Sequence, residues 1–372
     1  MSDINFVQTN QARLADYVQM SKTTGSRCDY VQGGGGNTSV KLDGQLMAIK
    51  ASGFRLDQIE PDQAYAVIDY AVVRDFYLKT DPSSLPDIEQ AGSAQTKAAT
   101  QTIEGLPQLR PSVEVGFHSL LETFVLHTHP VYANLAACAA EGAAMAAPVL
   151  ADLPESFVFV PYINPGAQLT FAISEARQKT LAATGKLPAI IFMQNHGLII
   201  TGDDAANCLR LHDEVNQRIA SAFGVSKTDW PTIAITAGKT SENWRSATPW
   251  LRTRLLQPGW ALDLFTRQAL YPDQLVFLNG QVGVAKSGSL DAALASGQPI
   301  NDKCTIFLET GEVFYQCAPG EARTIEETLC AILFINDAIL SADCTVCTMN
   351  EAGKDFISNW ESEKFRKSIA AK

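Results

Sequence analysis

No stretch of about 18 apolar residues occurs in the chain, so no segment is long enough to cross a bilayer as a helix. The longest apolar runs, such as residues 143–150, are shorter and are interrupted by Pro148. Basic clusters are also missing, and the formal net charge is -11. This balance argues against nucleic acid or an anionic membrane surface as a partner, and it requires any anionic substrate to be held by a local device. The eight cysteines are scattered from Cys28 to Cys347 and form no disulfide framework. The one CxxC, Cys344-Thr-Val-Cys347, has no second pair, which favours ordinary buried thiols over a zinc or redox site. The N-terminus lacks a basic segment followed by an apolar one, so the expected location is the cytoplasm. Histidine is scarce, and its five residues close the count of imidazole candidates.

What is present suits a globular chain of one large or two domains: 372 residues, 46% hydrophobic and 19% charged. Two of the five histidines lie in Phe124-Val-Leu-His-Thr-His-Pro130. In an extended strand residues i and i+2 project to the same side, so His127 and His129 point together while Thr128 faces away. This is half of a tetrahedral metal site, or else two polar residues at a strand end. A third candidate, His196, ends the buried strand 189–193 in Gln194-Asn-His-Gly197.

Around these residues the chain reads in order. An amphipathic helix over 5–21 leads to Tyr30-Val-Gln-Gly-Gly-Gly-Gly-Asn-Thr-Ser-Val-Lys41. Four successive glycines suit either a tight hairpin or an anion cradle of backbone N–H groups at Gly36 and Asn37. Strand 47–51 ends in Ser52-Gly53, a plain turn or a second part of the same cradle. Residues 62–79 read as strand then helix, and the polar stretch 80–110 as a mobile loop or an insertion over a site. Pro111-Ser-Val-Glu114 reads as a helix start with Ser112 as cap and Glu114 in the first turn; His118 reads as a helix residue packed under the sheet. After strand 157–161 and helix 170–184, Asp203 or Asp204 caps a helix to Phe223. Residues 226–248 read as a linker. A histidine-free second unit follows, with an arm or helix at 250–256, strands at 274–278, 282–285, 304–308 and 313–315, a helix over 324–340, and a capping box at 348–351 opening a last helix towards Ile369. It reads as structural, or as a determinant of assembly and specificity.

In this order and spacing, Gly36-Asn37-Thr38-Ser39-Val40-Lys41, Ala51-Ser52-Gly53, Pro111-Ser112-Val113-Glu114, His127-Thr-His129 and His196-Gly197 resemble the motifs of the class II aldolase/adducin family over about residues 5–225. The wording is closest to the aldolase half of bifunctional rhamnulose-1-phosphate aldolase/alcohol dehydrogenase proteins, which Asn359-Trp-Glu-Ser-Glu-Lys-Phe-Arg366 also resembles. The resemblance implies an α/β fold with three α/β/α layers around a mainly antiparallel sheet. It implies a catalytic domain over 1–235 with a smaller α+β extension over 236–372, and a homotetramer. It further implies Zn2+ or another divalent metal on His127, His129 and His196, Glu114 as proton-transfer residue, and a small-molecule sugar or sugar phosphate held by Gly36, Asn37, Ser52, Gly53 and Ser112. The implied reaction is reversible aldol cleavage of a ketose 1-phosphate or related hydroxy-ketone through an enediolate. Epimerisation, decarboxylation or dehydration on the same site is the alternative, as is a non-catalytic adducin-like module. Val113 stands where some members carry a second serine; Arg110 is the positional candidate to compensate.

Overall fold

Alternation along the strands decides the layering. The computed structural model describes residues 5–238, 243–258, 262–278, 280–296, 300 and 302–359. Its larger sheet holds β1 (Asn37–Lys41), β2 (Leu46–Lys50), β3 (Tyr65–Asp69), β4 (Thr100–Gln101), β5 (Phe124–Thr128), β6 (Phe157–Val160), β7 (Ile190–Met193) and β8 (Gly197–Gly202). The order is β4-β3-β2-β1-β5-β8-β7-β6, antiparallel throughout except for the edge pair β6–β7. Successive residues bury opposite faces, as the two-residue strand period requires. Ala48, Val67, Leu126, Phe192 and Leu198 pack on one face, while Met47, Ile49, Ile68, Val125, Ile191 and Ile199 pack on the other. Helices Gln11–Gly25, Val131–Ala137 and Ala205–Ala222 cover the first face; Tyr70–Lys79, Val115–Leu120 and Ala167–Thr184 cover the second. The fold is therefore the expected α/β/α arrangement around a mainly antiparallel sheet.

A second sheet, order β11-β12-β13-β10-β9, joins β9 (Ile235–Ala237), β10 (Asn243–Ser246), β11 (Val282–Ala285), β12 (Cys304–Phe307) and β13 (Glu312–Gln316). The helix Pro319–Ser341 packs on this sheet and on Val131–Ala137, so one apolar cluster runs from Leu14 to Ile339 through both sheets. The point between residues 235 and 236 falls inside β9.

Several local expectations are corrected. Residues 80–110 are not an unstructured loop: Asp87 caps a helix, Ile88–Ala99, by accepting from Gln90 N at 2.9 Å, and Glu89 accepts from Ala167 N and Gln168 N at 2.8 and 2.9 Å. The negative side chain thereby satisfies amides at the start of the Ala167–Thr184 helix. The stretch 226–248, read as a linker, contains β9 and β10. Residues 274–278, read as a strand, form the end and C-cap of the helix Pro272–Phe277, opened by a proline that needs no N–H partner at N1. Ser112 does not cap the Val115–Leu120 helix; Glu114 occupies the cap position. The cap of the last described helix, Glu351–Asn359, is Asn350, whose Oδ1 accepts from Gly353 N at 2.8 Å. The expected course of that helix to Ile369 and the motif portion 360–366 lie outside the described residues. All eight cysteines are free thiols, those of the CxxC included, and no helix among the described residues is long and apolar enough to cross a membrane.

Candidate metal centre

β5 delivers the first two histidines. His127 pairs across the sheet with Asn37 of β1 on one side and Ile199 of β8 on the other, which fixes it at the sheet centre. Thr128 points to the opposite face, where its hydroxyl meets His212 Nε2 at 2.7 Å. His129 follows before Pro130, and His196 projects from the tight turn between β7 and β8. Asn195 enables that turn by adopting φ +50°, a left-handed conformation that asparagine tolerates. All three histidines are buried, and one nitrogen from each lies within 4.8 Å of the others.

Tautomers follow from the hydrogen bonds. His127 Nδ1 donates to Leu198 O at 3.1 Å, and His129 Nδ1 donates to Asp273 Oδ2 at 2.5 Å. Both Nε2 atoms are therefore left as lone-pair donors, and they face each other at 3.2 Å. Two such lone pairs repel unless a cation lies between them. With donor-to-ion lengths of about 2.0–2.1 Å, tetrahedral donors stand roughly 3.3–3.4 Å apart, so the spacing fits an ion such as zinc. Burial, together with the neighbouring His129 and His196 rings, holds the His127 pKa well below the ordinary imidazole value, which keeps it in the neutral, ligating form.

Glu114 lies beside the three histidines. Its Oε2 lies 3.5 Å from His127 Nε2 and its Oε1 3.4 Å from His196 Nε2. Asn37 Nδ2 donates to Glu114 Oε2 at 2.6 Å and to Ser112 Oγ at 3.1 Å. His118, fully buried, hydrogen-bonds Asn37 Oδ1 through Nε2 and meets Ser39 Oγ at 2.6 Å through Nδ1. Since Asn37 Oδ1 only accepts, Nε2 carries the proton and Nδ1 accepts from the Ser39 hydroxyl. Burial, then the Lys41 charge, depresses the His118 pKa to about 3, so this ring stays neutral.

Gly36, Asn37, Ser52, Gly53, Ser112, Glu114, His129 and His196 all line one cavity of about 40 Å³. Gly36 has φ +62°, and a Cβ there would meet His127 O at 2.6 Å, so the chain can pass this close to β5 only as glycine. Arg110 does not line this cavity; it borders a neighbouring groove of about 680 Å³ that shares the Ser112–Val113 wall. The cation inside is Lys50, 4% exposed, whose Nζ donates to Phe54 O at 2.6 Å and Gly34 O at 3.2 Å. Lys50, Asp273, Pro272 and Ile357 were not anticipated. Lys50 was legible as a lone charge at the end of an apolar strand, whereas the other three stand far along the chain.

Residues 16–221, over half of the chain, match the family described as Class II Aldolase and Adducin N-terminal domain. The chain belongs to the class II aldolase/adducin family. A curated relative, the "Uncharacterized oxidoreductase YuxG" of Bacillus subtilis (strain 168), is 27% identical over 204 residues, covering 52% of this chain and 27% of that protein. The chain thus spans about a quarter of that relative's length. Among solved structures, the N-terminal class II aldolase domain of a conserved protein from Thermoplasma acidophilum is 23% identical, covers 55% of this chain and 91% of that chain, and has a TM-score of 0.45. A sugar-phosphate aldolase from Thermotoga maritima is 13% identical, with coverage of 57% and 94% and a TM-score of 0.42.

Proposed function

We propose that this protein catalyses reversible aldol cleavage of a ketose 1-phosphate or related hydroxy-ketone, with zinc or another divalent cation on His127, His129 and His196. The observation that carries this reading is the convergence of three buried imidazoles with a buried carboxylate set across two of them. A non-catalytic module would gain nothing from the desolvation cost of these groups. Bound there, the cation would polarise the substrate carbonyl and offset the negative charge that grows as the carbon–carbon bond breaks, an effect worth several kcal/mol.

The side chains divide the remaining work. Glu114, aimed by Asn37, exchanges the proton with the substrate hydroxyl or carbon. Lys50, with the Ser52-Gly53 turn, Ser112, Gly36 and Asn37, holds the anionic end of the substrate; a buried lysine offers it a donor in place of the hydroxyl that Val113 lacks. The cavity of about 40 Å³ takes an ion and a few waters.

Division into a catalytic unit over 1–235 and an extension over 236–372 belongs to the same proposal, as does kinship with the aldolase half of the bifunctional rhamnulose-1-phosphate proteins. The glycine-rich and Pro-Ser-Val-Glu motifs support it. The test is metal analysis joined to a retro-aldol screen over ketose phosphates and free ketoses, detecting dihydroxyacetone phosphate or dihydroxyacetone. Stoichiometric metal and cleavage of at least one ketose are expected; protein that takes up no divalent metal when zinc is supplied, or cleaves nothing in the panel, overturns the reading.

A further inference from the structure

The histidine-free C-terminal part of the chain touches the histidine cluster through Asp273. This carboxylate has no solvent exposure and accepts from His129 Nδ1 at 2.5 Å, across 144 positions of sequence. Its mounting is held on several sides. Tyr271 donates its hydroxyl to Gln32 Oε1 at 2.9 Å, Gln274 Oε1 accepts from Leu270 N at 2.8 Å, and Gln274 Nε2 donates to Leu264 O at 2.7 Å. Asn195, the neighbour of His196, donates through Nδ2 to Leu270 O at 2.9 Å and Cys347 O at 2.8 Å. Of the cluster, His129 is thus tied to the extension directly and His196 through its neighbour Asn195.

Gly35 supplies an independent observation. A Cβ built on it would lie 2.1 Å from Asp273 Oδ2 and 3.0 Å from His129 Nδ1. The third glycine of the run leaves the space that this pair fills. A buried carboxylate is costly unless a hydrogen-bond partner compensates it, and here that partner is a ring of the cluster.

We infer that Asp273 is the positioning residue of His129: it fixes the ring's rotation, selects the tautomer that turns Nε2 into the cluster, and strengthens that nitrogen as a donor to a divalent cation. The inference rests on reading the trio as a cation site. His127 differs, because its outer nitrogen meets a neutral backbone carbonyl, Leu198 O. An ionised acceptor raises the basicity of the ring it holds more than a carbonyl does. The extension would therefore set the affinity of a centre whose ligands all come from the other part of the chain.

The test uses the full chain and two substitutions, Asp273→Asn and Gly35→Ala. Zinc affinity is measured by competition with a chromophoric chelator, and the cobalt-loaded proteins are compared by visible absorption. Both variants are expected to bind zinc about 10–100-fold more weakly, the usual effect of losing such a partner, and to show an altered cobalt spectrum. Should Asp273→Asn not fold, Gly35→Ala decides the matter, since it keeps the carboxylate and fills its space. A folded variant that binds zinc within twofold of the parent, with an unchanged cobalt spectrum, overturns the inference. A parent chain that takes up neither zinc nor cobalt overturns the cation reading beneath it, whereas zinc binding without aldol cleavage overturns the proposed reaction and leaves Asp273 in its role.

Discussion

His118 decides which way the Asn37 amide faces: its Nε2–H donates to Asn37 Oδ1, so Asn37 Nδ2 is turned to Glu114 Oε2 at 2.6 Å. The Ser39 hydroxyl anchors the far nitrogen of the same ring at 2.6 Å. A residue that reads in sequence as helix packing is thus the first member of a relay that ends on the proposed proton-transfer carboxylate.

Replacing it breaks the relay without touching the three histidines of the proposed metal site. In His118→Phe the Asn37 carbonyl loses its buried donor, at a cost of about 1–3 kcal/mol in unfolding free energy. Glu114 loses its fixed partner. Turnover is expected to fall about tenfold with zinc affinity within about threefold, and KM is expected to rise by a smaller factor because Asn37 also lines the anion site. Steady-state kinetics and a zinc titration check this; a raised KM with kcat unchanged would assign His118 to substrate binding alone.

Glu114→Gln addresses the carboxylate itself. The amide can still accept from Asn37 but cannot take a proton, so a loss of about 10²–10⁴ in kcat is expected with metal content unchanged. Metal analysis beside kinetics on an identified substrate is the check. Parent-like turnover in this variant would remove Glu114 from proton transfer.

Much of this centre was legible because its residues obey local rules. The two-residue period of β5 places His127 and His129 on one side, and a strand end followed by glycine exposes His196. The α/β/α layers follow from apolar runs long enough to fill both faces of each strand. Asp273 obeys no such rule. It lies 144 residues from His129, in a short helix whose Leu275-Val-Phe-Leu278 run suits strand and helix equally. Pro272 was the signal that decides for helix. Likewise Asp87-Ile-Glu-Gln90 carries the spacing of a capped helix start inside a stretch whose polarity reads as loop.

Two buried histidines outside the metal trio make stability depend on pH. Burial chiefly depresses both His118 and His212 to about 3, whereas the unfolded chain titrates near 6.5. Between these values the unfolded state binds protons that the native state does not, so stability is complete above about pH 6.5 and declines as pH falls towards 3. Each ring is expected to remove about 1.4 kcal/mol between pH 7.5 and 5.5. Urea unfolding at pH 7.5, 6.5 and 5.5 measures the slope, and His212→Gln is expected to make it shallower by one proton's share. An identical slope in parent and variant would show that His212 takes up its proton in the folded state.

The proposed role of Lys50 in holding an anion predicts a difference between phosphorylated and neutral substrates. Its ammonium is nearly sealed from solvent beside Ser52, Ser112 and Asn37, where a hydrogen bond to an anion is worth about 1.5–3 kcal/mol. Lys50→Met keeps most of the apolar stem and removes the charged nitrogen. KM for a ketose phosphate is expected to rise about 10–100-fold, and that for the corresponding free ketose less than about threefold. The same Nζ also ties the Gly34 and Phe54 carbonyls, so a purely structural role predicts equal rises for the two substrates. Parallel kinetics on the phosphorylated and free forms of one sugar therefore tell charge recognition from loop support, and equal rises would remove Lys50 from the anion site.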